Sequence, residues 1–206
     1  MRAMLAKLMG LFLLGLIRVL TGSQARWVGC PPRAEQRIYF ANHQSHADLV
    51  LIWAALPSDL RAKTRPIAAR DYWTKTPFRQ WITTAVFNAV YVSRERSTNE
   101  DPLEPLFEAL EQGDSIILFP EGTRGYAEEP QAFKAGLYNL ALRFPDLVLV
   151  PTWINNVQRV MPKGEVVPVP VLCSVTFGAP MQVREGEDHR SFSARARNAV
   201  IALRDV

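Results

Sequence analysis

The residues best suited to chemistry are gathered in Asn42-His43-Gln44-Ser45-His46-Ala47-Asp48, directly after the apolar run Ile38-Tyr39-Phe40. A histidine on the turn that ends a strand can present its imidazole to a substrate while a carboxylate orients it from behind. On a regular helix a five-residue separation would set the two side chains about 140° apart. The pairing of His43 with Asp48 therefore requires His43 to precede a helix and Asp48 to sit in its first turns. With Asp48 accepting the proton of one ring nitrogen, the other is left to take a hydroxyl proton, the general-base half of a triad. His46 is a second candidate base, but at two residues from Asp48 it needs a different loop geometry. A histidine near an aspartate at a helix start is also an ordinary structural cap, so the pair does not decide by itself.

A second stretch, Phe119-Pro120-Glu121-Gly122-Thr123-Arg124, is more specific. Pro120 and Gly122 shape a tight connection that leaves backbone N–H groups available, Thr123 adds a hydroxyl, and Arg124 offers a planar donor fork suited to phosphate. Standing alone it reads as an ordinary turn with a surface Glu–Arg pair. Arg94 and Arg96, after the apolar Ala89-Val90-Tyr91-Val92, supply another possible phosphate grip, although arginines at strand ends are commonly just solvated.

These groups need elements to position them. Leu49 to Leu56 reads as a helix leading away from His43, and Arg65-Pro66-Ile67-Ala68-Ala69 as a short strand. Thr76 to Phe87 carries Phe78, Trp81, Ile82, Ala85 and Val86 at helical spacing, and Ala89 to Val92 reads as the next strand. Leu103, Leu106, Phe107 and Leu110 mark a helix over Asp101 to Gln112, with Pro102 early and Gly113 as its stop. Ser115 to Phe119 is a buried strand, Phe133 to Arg143 a helix, and Leu147 to Val150 a strand closed by Pro151. Val166 to Val171 and Leu172 to Phe177 follow as strands, and Phe192 to Leu203 as an amphipathic helix. Alternating strand and helix predicts an α/β domain with a mainly parallel central sheet flanked by helices. In such sheets ligands sit beyond the carboxyl ends of the strands, where the His43, Arg94, Glu121 and Pro151 segments are expected.

With 206 residues, 48% of them hydrophobic, the chain suffices for one well-buried domain, and no linker divides it. Its net charge of +4 and pI near 9.3 favour acidic partners without choosing among nucleic acid, anionic lipid and phosphorylated small molecules. Cys30 and Cys173 fit neither a disulfide scaffold nor a metal finger, and with three histidines no structural metal site is expected. Met4 to Leu20 is almost wholly apolar, interrupted by Lys7 and Arg18. The unbroken run Leu8 to Ile17 is short of the about 20 residues of a full span. On a helix Lys7 and Arg18 project within about 20° of each other, a narrow polar stripe on a greasy cylinder. Residues 1–22 are therefore expected to form a membrane-interface helix, and 23–206 the folded domain. A helix packed on the domain and a cleaved signal peptide are the rivals.

NHQSHAD with its H-x-x-x-x-D core, then VYVSRER, FPEGTR and VLVPTW, in that order, resemble the four blocks of the PlsC-like glycerolipid acyltransferases, the lysophosphatidic acid acyltransferase family. The resemblance spans roughly residues 38 to 180, including VTFGAP. It implies a glycerol-3-phosphate acyltransferase-like fold, with His43 as general base, Asp48 as its orienting partner, and Arg94 and Arg124 as phosphate ligands. It further implies Glu121, Gly122 and Thr123 in the acceptor site and Pro151 shaping the acyl pocket. The implied partners are a lysophospholipid acceptor and an acyl-CoA or acyl carrier protein donor; no metal, cofactor or nucleic acid is implied, and the cysteine usage together with the N-terminal helix places the expected membrane contact on the cytoplasmic face. Two departures stand out: Ser93 where the second block often has Asp, and Thr152-Trp153-Ile154-Asn155-Asn156 where small apolar residues are more usual. A hydrolase using Ser45 is disfavoured because no G-x-S-x-G elbow is present. A non-catalytic lipid- or nucleic-acid-binding module would instead interleave arginines with exposed aromatics, whereas Phe78, Trp81 and Phe87 sit at core-facing or tunnel-lining spacing.

Overall fold

The run Ile38-Tyr39-Phe40 forms the middle of strand β2 (Arg37–Ala41), every residue of which is buried. The computed structural model describes residues 2–22, 24–45, 47–93, 101–125, 127, 129–155 and 172–206. Around β2 lie β1 (Gln24–Trp27), β3 (Thr64–Ala69), β4 (Val90–Val92), β5 (Ser115–Leu118), β6 (Val148–Asn155) and β7 (Ser174–Phe177), in the order β1-β7-β6-β2-β5-β3-β4. Strands β6, β2, β5, β3 and β4 are parallel, whereas β7 runs antiparallel to β6 and carries β1 alongside it. The expected mainly parallel α/β sheet is thus present. The strand expected over Val166 to Val171 lies outside the described residues.

Alternation along β2 divides the core between two faces. Tyr39 and Ala41 join Leu51, Ile52, Phe87, Val150 and Phe177 on one side; Ile38 and Phe40 join Leu106, Leu110, Leu140, Leu149 and Phe192 on the other. The first side is covered by α1 (Arg2–Thr21) and α2 (Asp48–Ala55), and by α5 (Pro77–Trp81), which continues as a π-helical turn over Ile82–Val86. The second is covered by α6 (Glu104–Glu111), α7 (Gly136–Arg143) and the C-terminal helix α8 (His189–Ile201). Short helices α3 (Ser58–Ala62) and α4 (Arg70–Trp73) flank β3.

Four expectations change. Strand β6 does not stop before Pro151 but runs through it to Asn155, with Pro151 paired in register to Phe40. The Pro151 carbonyl accepts the Gly178 N–H at 2.8 Å, so its ring nitrogen faces the same side, just past the end of β7, where the ladder needs no donor. Helix α6 starts at Glu104 rather than Asp101, because the Asp101 carboxylate accepts the Leu103 N–H at 2.9 Å in a preceding turn and Pro105 occupies the first helical turn. Phe78 is exposed rather than core-facing. Finally, α1 is one continuous helix of 20 residues, long and apolar enough by length and composition to cross a membrane. One of its faces packs on the domain through Leu13, Leu14 and Ile17, and Gly10 lets it approach Val86 and Trp53 closely.

Candidate active site

Strand β2 ends at Ala41, and the next residue fastens the strand's end in place. The buried Asn42 amide accepts the Ile154 N–H at 2.8 Å and donates to the Ile154 carbonyl at 3.1 Å, so a side chain prolongs the β2–β6 ladder by one rung. The chain then turns through His43, Gln44 and Ser45 before α2 begins at Asp48. Asp48 is fully buried, and its Oδ2 accepts three donors: His43 Nδ1 at 2.8 Å, Gln44 N at 2.6 Å and Ser45 N at 2.9 Å. The aspartate therefore ties down the loop rather than capping its own helix. With Nδ1 donating to the carboxylate, Nε2 carries the lone pair. The imidazole stacks on Phe119, with centroids 4.3 Å apart and 18° between planes. Its side chain is 22% exposed, enough for a substrate to reach it.

The second stretch grips the same histidine by its backbone. Glu121, only 2% exposed, accepts the His43 N–H through Oε1 at 2.7 Å and the Gln131 N–H through Oε2 at 2.8 Å. Burial pushes its carboxyl above the usual range, opposed by those two amides. The His43 carbonyl accepts the Gly125 N–H at 2.8 Å. His43 is thus held at N, O and Nδ1 by three different residues, which fixes the orientation of its imidazole. Sequence reasoning set Glu121 among acceptor contacts; the structure puts its carboxylate beneath the loop, against backbone amides. Gly122, at φ 71°, turns the chain outward, and Gly122, Thr123 and Arg124 are exposed. Arg124 forms no hydrogen bond or ion pair among the described residues, so the surface Glu–Arg pair is not formed.

Of the other sequence candidates, Arg94, Arg96 and His46 lie outside the described residues, although β4 ends at Val92, two positions before Arg94. Pro151 pairs with Phe40, three ladder positions below the level of His43, which is about 10 Å along the strands. The Ser45 hydroxyl is buried and accepts the Ala47 N–H at 3.2 Å, which removes it as an exposed nucleophile. Asn42, Phe119, Gly125 and Gln131 were missed. Asn42 and Phe119 open the two motifs but were given no role there, because their partners are distant in sequence and only the fold supplies them.

A histidine just past the carboxyl end of the central parallel strand, its Nδ1 bonded to a buried aspartate, on an α/β scaffold with an exposed arginine in the loop after β5, is an arrangement that can deprotonate a hydroxyl. The family profile described as Acyltransferase matches residues 30–155, and the chain belongs to that family. It is 25% identical over 178 residues to a 1-acyl-sn-glycerol-3-phosphate acyltransferase of Cocos nucifera, a match covering 82% of this chain and 56% of that protein. It is 24% identical over 127 residues to the chloroplastic 1-acyl-sn-glycerol-3-phosphate acyltransferase LPAT1 of Arabidopsis thaliana, covering 62% and 34% respectively. The chain thus spans about half, or less, of the length of these curated relatives. The crystal structure of the 1-acyl-sn-glycerophosphate acyltransferase PlsC from Thermotoga maritima superposes with a TM-score of 0.73 at 21% identity, covering 98% of this chain and 79% of that one. That likeness establishes the shared fold.

Proposed function

We propose that the chain transfers a fatty acyl group from an acyl thioester to the free hydroxyl of a lysophospholipid, with 1-acyl-sn-glycerol 3-phosphate as acceptor and phosphatidic acid as product. The observation that carries this reading is the His43 Nδ1–Asp48 Oδ2 bond of 2.8 Å, which leaves Nε2 as a proton acceptor, with the exposed Arg124, unpaired among the described residues, on the loop whose Glu121 and Gly125 hold the His43 backbone. Nε2 takes the hydroxyl proton, the oxygen attacks the thioester carbonyl, and a tetrahedral intermediate forms. Collapse expels the thiolate, which recovers the proton from the imidazolium. The loop of Gly122, Thr123 and Arg124 offers donors to developing negative charge and to the acceptor phosphate, with Arg94 as the second phosphate ligand. No covalent acyl-enzyme and no cofactor beyond the co-substrate is required.

An apolar cavity of about 740 Å³, lined by Gly10, Leu14, Trp53, Trp81, Val86 and Phe87 among others, has the size and polarity for an acyl chain. The outer face of α1, where Leu5, Leu8, Phe12 and Val19 are exposed, supports work at a membrane surface, here read as the cytoplasmic face. Residues 1–22 act in this reading as the membrane-interface helix and residues 23–206 as the catalytic domain.

The test is incubation with lysophosphatidic acid and radiolabelled acyl-CoA or acyl carrier protein, comparing wild type with His43→Ala. His43-dependent phosphatidic acid is expected. Binding without turnover would instead favour a non-catalytic lipid-binding module. Lipid mass spectrometry after expression in a host lacking its own lysophosphatidic acid acyltransferase identifies the acceptor. Accumulation of an acylated ornithine lipid, of 1-acylglycerol 3-phosphate made from glycerol 3-phosphate, or of another phospholipid would replace the acceptor and keep the reaction.

A further inference from the structure

We propose that Lys134 is a further cation of the acceptor-phosphate site, beside the two arginines, folded across Gly122 on the loop that carries Arg124; this rests on the acyl-transfer reading above. The backbone of Lys134 is anchored to that loop, its N–H donating to the Pro120 carbonyl at 2.9 Å. From there the side chain lies over Gly122. A Cβ at position 122 would stand 2.6 Å from Lys134 Nζ, 3.1 Å from Cε and 3.2 Å from Cδ. Glycine at 122 thus serves two ends: it permits the positive φ, and it leaves room for the distal half of the lysine.

The ammonium has no carboxylate to neutralise it among the described residues. Both oxygens of Glu121 are taken by backbone amides, and Glu129 is paired with Arg197 at 2.9 Å. The neighbouring donors are equally uncommitted: Thr123 and Arg124 make no hydrogen bonds through backbone N–H or side chain among the described residues. An exposed lysine held against a glycine backbone, next to unpaired amides, a hydroxyl and a guanidinium, concentrates donors and positive charge on one loop. The same loop anchors the base, since Glu121 and Gly125 hold the His43 backbone. A phosphate seated here lies on the loop that fixes the base, as the acyl transfer requires. Arg124 supplies the planar fork and Lys134 the compact point charge. The ligand class is a phosphomonoester, of a lysolipid or free in solution.

The experiment uses the full chain with Lys134→Met, which keeps the stem and removes the charge, and Lys134→Arg. Binding of water-soluble hexanoyl lysophosphatidic acid is measured by calorimetry, and kcat/KM is compared for lysophosphatidic acid and monoacylglycerol. K134M is expected to weaken binding about tenfold and to lower the phosphate-to-neutral kcat/KM ratio by about the same factor, the loss of one charge-assisted contact. K134R is expected to restore most of both. Inorganic phosphate should compete with the probe on wild type and less on K134M; competition on wild type alone marks the phosphate, not the acyl chain, as the recognised group. An unchanged Kd and ratio in K134M, equal losses on both acceptors, or no probe binding by wild type would overturn the proposal. Should no thioester support transfer while K134M still loses the probe, the acyl-transfer reading falls and the anion site stands. Should transfer proceed with K134M indistinguishable from wild type, the reverse holds.

Discussion

Asp48 and Glu121 are both buried carboxylates, and they answer differently to mutation because their oxygens are used differently. Asp48 concentrates three donors on Oδ2, while its buried Oδ1 has no hydrogen-bond partner among the described residues. Asp48→Asn can keep an accepting oxygen at Oδ2 and turn its NH₂ toward the Oδ1 position. It should fold normally and lose about 10- to 100-fold in kcat through weaker orientation of the base. Asp48→Ala strands the Gln44 and Ser45 amides as well, costing about 1–3 kcal/mol for each buried group left unpaired, visible as a lower urea midpoint. His43→Ala should lower kcat about 10²- to 10⁴-fold with the urea midpoint unmoved. Glu121→Gln has one acceptor oxygen for two amide donors, so one amide goes unsatisfied and His43 loosens. A pH dependence follows from the raised native pKa of Glu121. Between the unfolded value of about 4.3 and that higher value, the native state holds more protons than the unfolded chain. Its contribution to stability therefore falls as pH rises through this window. The stability margin of wild type over E121Q should be largest in acid and shrink toward neutrality. Urea midpoints at stepped pH read it, and a margin that widens with pH would refute the assignment.

At the scale of elements, what could be read in advance depended on how densely each segment buries. Strands β2 and β5 are short apolar runs, and their burial follows from composition. Strand β1 was missed because it is a sheet edge: Gln24, Ala25 and Arg26 are exposed, so no apolar run marks it. The prolongation of β6 past Pro151 was hidden because a proline is harmless only where the neighbouring strand has ended, a fact about β7 rather than about local sequence. The π-helical turn at Ile82–Val86 keeps helix-like spacing, so periodicity merges it with α5. For the site, the His43–Asp48 pairing was legible because its partners lie five residues apart. The Glu121 clamp on His43 spans 78 positions and the Asn42 clamp on Ile154 spans 112, and no local pattern reports either. Asn42→Ala removes both bonds to Ile154 and should cost about 2 kcal/mol. Because those bonds fix the strand end from which His43 projects, kcat should fall along with the urea midpoint. A variant that loses stability at full kcat would show that Asp48, Glu121 and Gly125 hold the histidine loop without help from Asn42.

For the whole molecule the question is how α1 relates to a bilayer. Its 20 residues extend about 30 Å, the thickness of a hydrocarbon core, so length alone allows a crossing. Packing argues for the other arrangement. Leu13, Leu14 and Ile17 rest on the core cluster around Phe87 and Ile154, and the buried Thr21 carbonyl accepts the Cys173 N–H at 2.8 Å. A crossing helix would have to peel these contacts from the domain, whereas one lying along the surface keeps them and still offers Leu5, Leu8, Phe12 and Val19 outward. Deleting residues 1–22 is therefore a poor probe of the proposed anchor, because it also uncovers the core; reduced stability is expected together with release from membranes. The sharper variant replaces Leu5, Leu8, Phe12 and Val19 by Gln, which leaves the packed face intact. Its urea midpoint should match wild type while partition onto anionic vesicles falls at least about tenfold, since each side chain contributes on the order of 1 kcal/mol of interfacial burial. Activity on hexanoyl lysophosphatidic acid in solution should persist, and activity on vesicle-borne acceptor should fall with binding. Undiminished vesicle binding by this variant would show that α1 is not the membrane-facing element and would move the search to the exposed Phe78 on α5.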